Sequence, residues 1–182
     1  MRCLKPVLFG LLIVISSVAC ECAFLSNVSQ HRGAAIERQQ VQNKIFEVRV
    51  TSYEEKGAAV NGAYYVFESA TLESNDWHEI VTFRHDDRPK VPVDQVRFVN
   101  DQIAYLFMGW VYAVTTDGGI TWSVWDAKRD LSDWQCCNYG LIRGVNLADS
   151  GRGTMRLNPL QDRRGEVLEL RTDDYGKHWR AE

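Results

Sequence analysis

The sequence predicts an all-β domain of antiparallel hairpins in meander order, forming a partial propeller-like or sandwich-like sheet. Three observations predict it. Short apolar runs of strand length recur from Lys44 to the C-terminus, turn residues separate them, and one eight-residue pattern occurs twice.

The runs justify themselves in order. Residues 45–50 (IFEVRV) alternate apolar and polar, the period of a half-buried strand, and residues 63–69 (AYYVFES) and 78–84 (HEIVTFR) follow in the same character. Strands are expected next at 93–99, 102–108 and 110–116, punctuated by Asn100-Asp101 and by Gly109, and then at 121–126. The last third offers 141–146, 153–157 and 167–172, with a short strand near Trp179. Residues 24–43 are polar, and Ala35, Ile36, Val41 and Ile45 do not keep helical spacing. Residues 20–43 are therefore expected to be a tether or linker, and 44–182 the β domain.

The repeated pattern carries the most information. Residues 115–122 read TTDGGITW and residues 172–179 read TDDYGKHW, each after an apolar run (WVYAV, VLEL). Both place Thr, Asp, Gly and Trp at the first, third, fifth and eighth positions: Thr115, Asp117, Gly119 and Trp122, then Thr172, Asp174, Gly176 and Trp179. The glycine supplies positive φ in a tight turn. The aspartate accepts from loop N–H groups that the turn leaves unpaired. The indole folds back over the hairpin and buries a large apolar area.

This pattern resembles the Asp-box, or BNR repeat, of sialidases and other propeller-type β proteins; His178 replaces the Thr usual at that position. A third, eroded copy is expected by position at 70–77, which ends on Trp77 but lacks the Asp and the Gly. The resemblance implies structural clasps rather than catalytic or calcium-binding carboxylates.

The N-terminus reads as an export signal. Arg2 and Lys5 precede an unbroken apolar stretch at 7–15 (VLFGLLIVI), too short to span a bilayer. Ser17-Val18-Ala19-Cys20 resembles a bacterial lipobox with Ser at the usual Leu position. Residues 1–19 are thus expected to be removed, with Cys20 a lipidation site that anchors an exported, periplasmic protein to a membrane; cleavage by an ordinary signal peptidase after Ala19 is the alternative. Losing Arg2 and Lys5 moves the net charge from −3 to −5, a balance that argues against a nucleic-acid partner. Cys22, Cys136 and Cys137 remain as disulfide candidates in an oxidising compartment. The cysteine and histidine spacings of metal sites are absent, so neither a metal nor another cofactor is expected.

Nothing in the chain points to catalysis. Nucleophile-elbow, zinc-protease and phosphate-loop motifs are missing. About 140 residues make three repeat units, below the four of a closed propeller. The arginines, among them Arg84, Arg143, Arg152 and Arg156, sit in turns or beside acidic residues and read as solvated. The expected working surface is the segment 126–139 (DAKRDLSDWQCCNY), long for a hairpin connection, with Lys128, Arg129, Trp134 and Tyr139 as binding residues. Size, lipobox-like start and repeats make the chain similar to periplasmic lipoprotein immunity proteins that neutralise type VI secretion lipase effectors. That similarity implies a non-catalytic module binding another protein, a toxin effector; a carbohydrate-binding sialidase-like domain is the alternative.

Overall fold

The structure is a computed structural model that describes residues 32–57, 62–74, 76–86, 93–131, 141–158 and 167–181. Among the described residues twelve strands fall into three antiparallel sheets of four, each a simple meander. The first holds β1 (Arg32–Gln42), β2 (Phe46–Glu55), β3 (Ala63–Thr71) and β4 (His78–His85). The second holds β5 (Arg97–Phe98), β6 (Ala104–Met108), β7 (Val111–Thr115) and β8 (Ser123–Asp126). The third holds β9 (Ile142–Leu147), β10 (Gly153–Leu157), β11 (Leu168–Thr172) and β12 (Arg180–Ala181). The all-β meander read from the sequence is the fold, and the sheets do not close into a barrel.

Two cores fix the order of the sheets. Phe46, Val48, Val50, Phe67 and Phe83 of the first sheet pack against Leu106, Met108, Val111 and Ala113 of the second. The second sheet's other face sends Tyr105, Tyr112, Val114 and Trp125 against Met155, Leu157, Leu170 and Trp179 of the third. Buried on both faces, β6 and β7 are almost wholly apolar (AYLFM, VYAVT). The third sheet alternates instead, as GTMRL in β10 does, because one of its faces points away from the core.

Three segments depart from expectation. Residues 32–42 are not linker: β1 pairs antiparallel with β2 from Arg32↔Glu55 to Gln42↔Glu47. Most of its side chains are exposed, so it buries no apolar stripe that a periodicity search could find. The strand expected at 93–99 shrinks to β5 behind a 3-10 turn at Val93–Gln95, following Pro92, whose missing N–H disfavours a ladder. The start of the 126–139 segment forms a short helix, α1 (Ala127–Asp130), capped by the Asp126 carboxylate accepting from the Lys128 N–H at 2.8 Å.

The hairpin turns at one end of the stack are tied together. Asn43, between β1 and β2, accepts on Oδ1 from the N–H groups of Ile45 and Phe46; Asn100, between β5 and β6, does the same for Gln102 and Ile103. The Asn43 amide donates to the Asp101 carbonyl at 3.1 Å, and the Asn100 amide to Asp149 of the β9–β10 turn at 2.6 Å. One short row of side chains thus links the first turns of all three sheets.

Candidate functional site

The two octapeptides form the same turn, joining third to fourth strand in the second and third sheets. Thr115 and Thr172 hydroxyls donate to the Asp117 and Asp174 carboxylates at 2.8 and 2.7 Å, and accept from the Gly119 and Gly176 N–H groups at 3.0 and 2.9 Å. Each carboxylate also accepts from the backbone N–H four residues on, Thr121 at 2.9 Å and His178 at 3.1 Å. Its second oxygen takes the neighbouring side chain: Thr121 Oγ1 at 2.5 Å, His178 Nδ1 at 2.6 Å. The histidine therefore substitutes for threonine hydrogen bond for hydrogen bond.

Each turn also docks backwards. Ser69 of β3 donates to the Gly119 carbonyl at 3.1 Å, and Tyr112 of β7 donates to the Tyr175 carbonyl at 2.9 Å. Within its own sheet each turn bonds the first hairpin, through Gly118 N–H to the Gln102 carbonyl and Tyr175 N–H to the Gly151 carbonyl, both 2.9 Å. Trp179 is buried in the second core, while Trp122 is only half-buried beside the first. The clasp is thus unequal where the sequence implied two alike. The segment 70–77 joins β3 to β4, the corresponding place in the first sheet. There the Thr71 and Ser74 hydroxyls bond each other at 2.8 Å, and Trp77 lies under the Arg49 guanidinium, 3.9 Å from its ring centre.

Electrostatics follow from this geometry. Desolvation pushes both carboxyls up, but it is outweighed. Bonds from the Thr121 side chain and N–H and from Thr115 hold Asp117 below the usual carboxylate range. Those from the His178 side chain, Thr172 and the His178 N–H hold Asp174 down at about 2. A carboxyl depressed on folding contributes stability that is present above its unfolded value near 4 and lost as pH falls towards 2. Nearly two units is nominally about 2.5 kcal/mol, but the Asp174 side chain is 36% exposed, and solvent screening reduces this to about 1 kcal/mol. Asp174→Asn should therefore cost about 1 kcal/mol in urea unfolding at neutral pH and nearly nothing close to pH 2. An equal loss at both pH values would show that the carboxylate's charge plays no part.

The expected binding residues are only partly within view. Lys128 lays its ammonium 3.2 Å from the centre of the Trp110 ring. Its partial desolvation there pushes the ammonium below the ordinary lysine value, against the pull of Asp126. Arg129 forks onto Asp130 at 2.7 Å and donates to the Val124 carbonyl at 3.1 Å. Both cations brace α1 on the second sheet, a role the sequence did not suggest. Trp134 and Tyr139, together with Cys20, Cys22, Cys136 and Cys137, lie outside the described residues. Among the described residues no three His, Cys, Asp or Glu side chains gather as a metal site would require.

A feature the sequence did not reveal lies on the outer face of the third sheet. Asn146, Thr154, Arg171 and Arg180 stand opposite one another across β9, β10, β11 and β12. With Arg152 and Asp173 they line an open depression of about 680 Å³. The chain matches no protein-family model, no curated protein and no solved structure.

Proposed function

We propose that this protein is a non-catalytic, exported binding module, lipid-anchored through Cys20 in the periplasm, whose partner is another protein. In this reading the octapeptides are Asp-boxes, and the chain acts as an immunity protein that neutralises a secreted toxin. One observation carries the non-catalytic part: Asp117 and Asp174 accept hydrogen bonds from the first-position threonine and from the backbone and side chain of the seventh-position residue of their own octapeptides. Carboxylates so engaged hold a hairpin, which supports a structural reading of both octapeptides. The connection after β8, which opens with the braced helix α1, is long for a hairpin link, and that length supports a contact surface there.

Two arms of one experiment test this. The full chain, expressed with its N-terminus intact, is labelled with a fatty-acid analogue and used to capture membrane and toxin-fraction proteins. Wild type should carry the label and Cys20→Ser should not. Trp134→Ala should bind the captured partner about thirtyfold more weakly with an unchanged melting curve. An unlabelled wild type would remove the anchor, and binding only to glycans would replace the protein partner with a carbohydrate.

A further inference from the structure

We propose that the cleft between the octapeptide turn of the second sheet and the β3–β4 link of the first takes up a polypeptide segment of the partner that sets an apolar side chain beside a lysine or arginine. Leu72 and Ile120 supply its apolar contacts, and Glu73 and Asp76 receive the cation. This rests on the protein-binding reading and adds a contact surface to it.

The cleft has a volume of about 620 Å³, and Ile45, itself packed on the first core, joins its lining. Four large apolar side chains are exposed among the described residues: Ile36, Leu72, Ile120 and Val167. Scattered singly, such residues need no account. Two of them, Leu72 at 42% and Ile120 at 62% exposure, line this one cleft.

The turns themselves do not ask for them. Ile120 is sixth in its octapeptide, and the sixth place of the other, which makes the same hydrogen bonds, holds the exposed Lys177. Counted back from Trp77, Leu72 stands third, where the octapeptides carry Asp117 and Asp174. Each place thus has a polar occupant in a sister turn.

Both walls are held from behind. The Leu72 N–H donates to the Ile45 carbonyl and the Gly118 N–H to the Gln102 carbonyl, each at 2.9 Å. Ser69 Oγ donates to the Gly119 carbonyl at 3.1 Å, and the Thr71 and Ser74 hydroxyls bond each other. A wall already fixed loses little freedom when a ligand docks, so more of the contact energy remains as affinity.

The charges of the lining select the occupant. Three carboxylates, Glu73, Asp76 and Asp117, stand against one ammonium, Lys44. Asp117 is engaged by its own turn, and Lys44 leans towards Asp101 at 3.9 Å. Glu73 and Asp76 have no ion-pair partner among the described residues. A lysine or arginine can lay its aliphatic stem on the apolar walls and its head on these two carboxylates. A second copy of this chain, with net charge −3, and a phosphate backbone both meet like charge here.

The test uses the full chain and a fluorescein-labelled peptide of repeated Gly-Leu-Lys, read by anisotropy at low and physiological salt. Wild type should bind it at least about tenfold more tightly than repeated Gly-Leu-Glu or repeated Gly-Ser-Lys. Ile120→Lys, which copies the sister turn, should bind at least about tenfold more weakly with an unchanged melting curve. Glu73→Lys/Asp76→Lys should also weaken binding and remove its salt dependence. Val167→Lys, an exposed apolar position outside the cleft, should bind like wild type. Leu72→Ser replaces Ile120→Lys in the comparison if that variant melts early. Absence of wild-type binding overturns the proposal, as does equal binding of the three peptides or equal binding by the cleft variants. A dimer that Ile120→Lys dissolves would assign the cleft to a second copy and overturns it too. A captured protein partner that binds Ile120→Lys normally removes this proposal and leaves the protein-binding reading standing. Peptide binding in the expected pattern with no protein partner captured does the reverse.

Discussion

Replacing Trp179 with Ala should lower the unfolding free energy by about 3–5 kcal/mol, a loss large enough to unfold a marginally stable domain. The indole is 7% exposed. It meets Tyr112 edge-on, with ring centres 5.4 Å apart and planes at 89°, and Trp125 at 6.5 Å. Its removal opens a cavity between the second and third sheets, beneath the turn that ties them. The same substitution at half-buried Trp122 should cost roughly half as much, because less apolar area returns to water. Trp179→Phe adds a finer check. The Trp179 Nε1 is buried and has no hydrogen-bond partner, so Phe loses volume but also removes an unsatisfied donor. It should cost about 1 kcal/mol or less. Urea unfolding of the three variants decides; equal losses at Trp122 and Trp179 would contradict the unequal clasp.

Gly119→Ala should be nearly as damaging, at about 2–4 kcal/mol. Gly119 has φ +82°, and a Cβ built there would stand 2.5 Å from Cδ2 of Phe46 and 2.8 Å from Oγ of Ser69. Phe46 and Ser69 are fully buried, so neither has room to withdraw. Gly118→Ala separates strain from crowding. That residue also has positive φ, but its nearest neighbour, Gln102 Oε1, lies 3.1 Å off at the end of a long side chain. The equivalent position in the second turn is Tyr175, which adopts φ 66° with a full side chain. Gly118→Ala should therefore cost only about 1 kcal/mol. Thermal melts in which the two glycine variants are indistinguishable would show that docking on Phe46 does not constrain the turn.

How far the sequence could be read depended on what each segment buries. The strands facing a core announced themselves: β2 by alternation, β6 and β7 by unbroken apolar runs. The octapeptides were legible because the requirements of their turn are local, a hydroxyl, a carboxylate and a glycine within five residues. The polar strand β1 was hidden, since Arg38 reaches Thr51 at 3.1 Å and Arg32 reaches Thr82 at 2.7 Å across the outer face instead of burying carbon. Asn43 was the usable clue there, an Asx turn just before an apolar run. The arginine face was not legible at all. Arg152, Arg171 and Arg180 become neighbours only through the register of β10, β11 and β12, and register is a property of paired strands.

The row from Asn43 through Asn100 to Asp149 divides the molecule into a conservative end and a permissive one. In a meander the opposite strand ends, at Glu55 and Ala63, His85 and Arg97, Asp126 and Ile142, and Leu157 and Leu168, lie away from that row. Lengthening the chain between Asn43 and Phe46 or between Asn100 and Ile103 would break hydrogen bonds that reach into a second sheet. At the far end the Ile142 N–H donates to the Gly109 carbonyl of the second sheet at 2.6 Å, whereas the connections after Glu55 and after Leu157 join neighbouring strands of one sheet, and lengthening those costs little closure entropy. Insertions should therefore be tolerated after Glu55 and Leu157 and not within the asparagine row, with the three sheets as the unchanging frame.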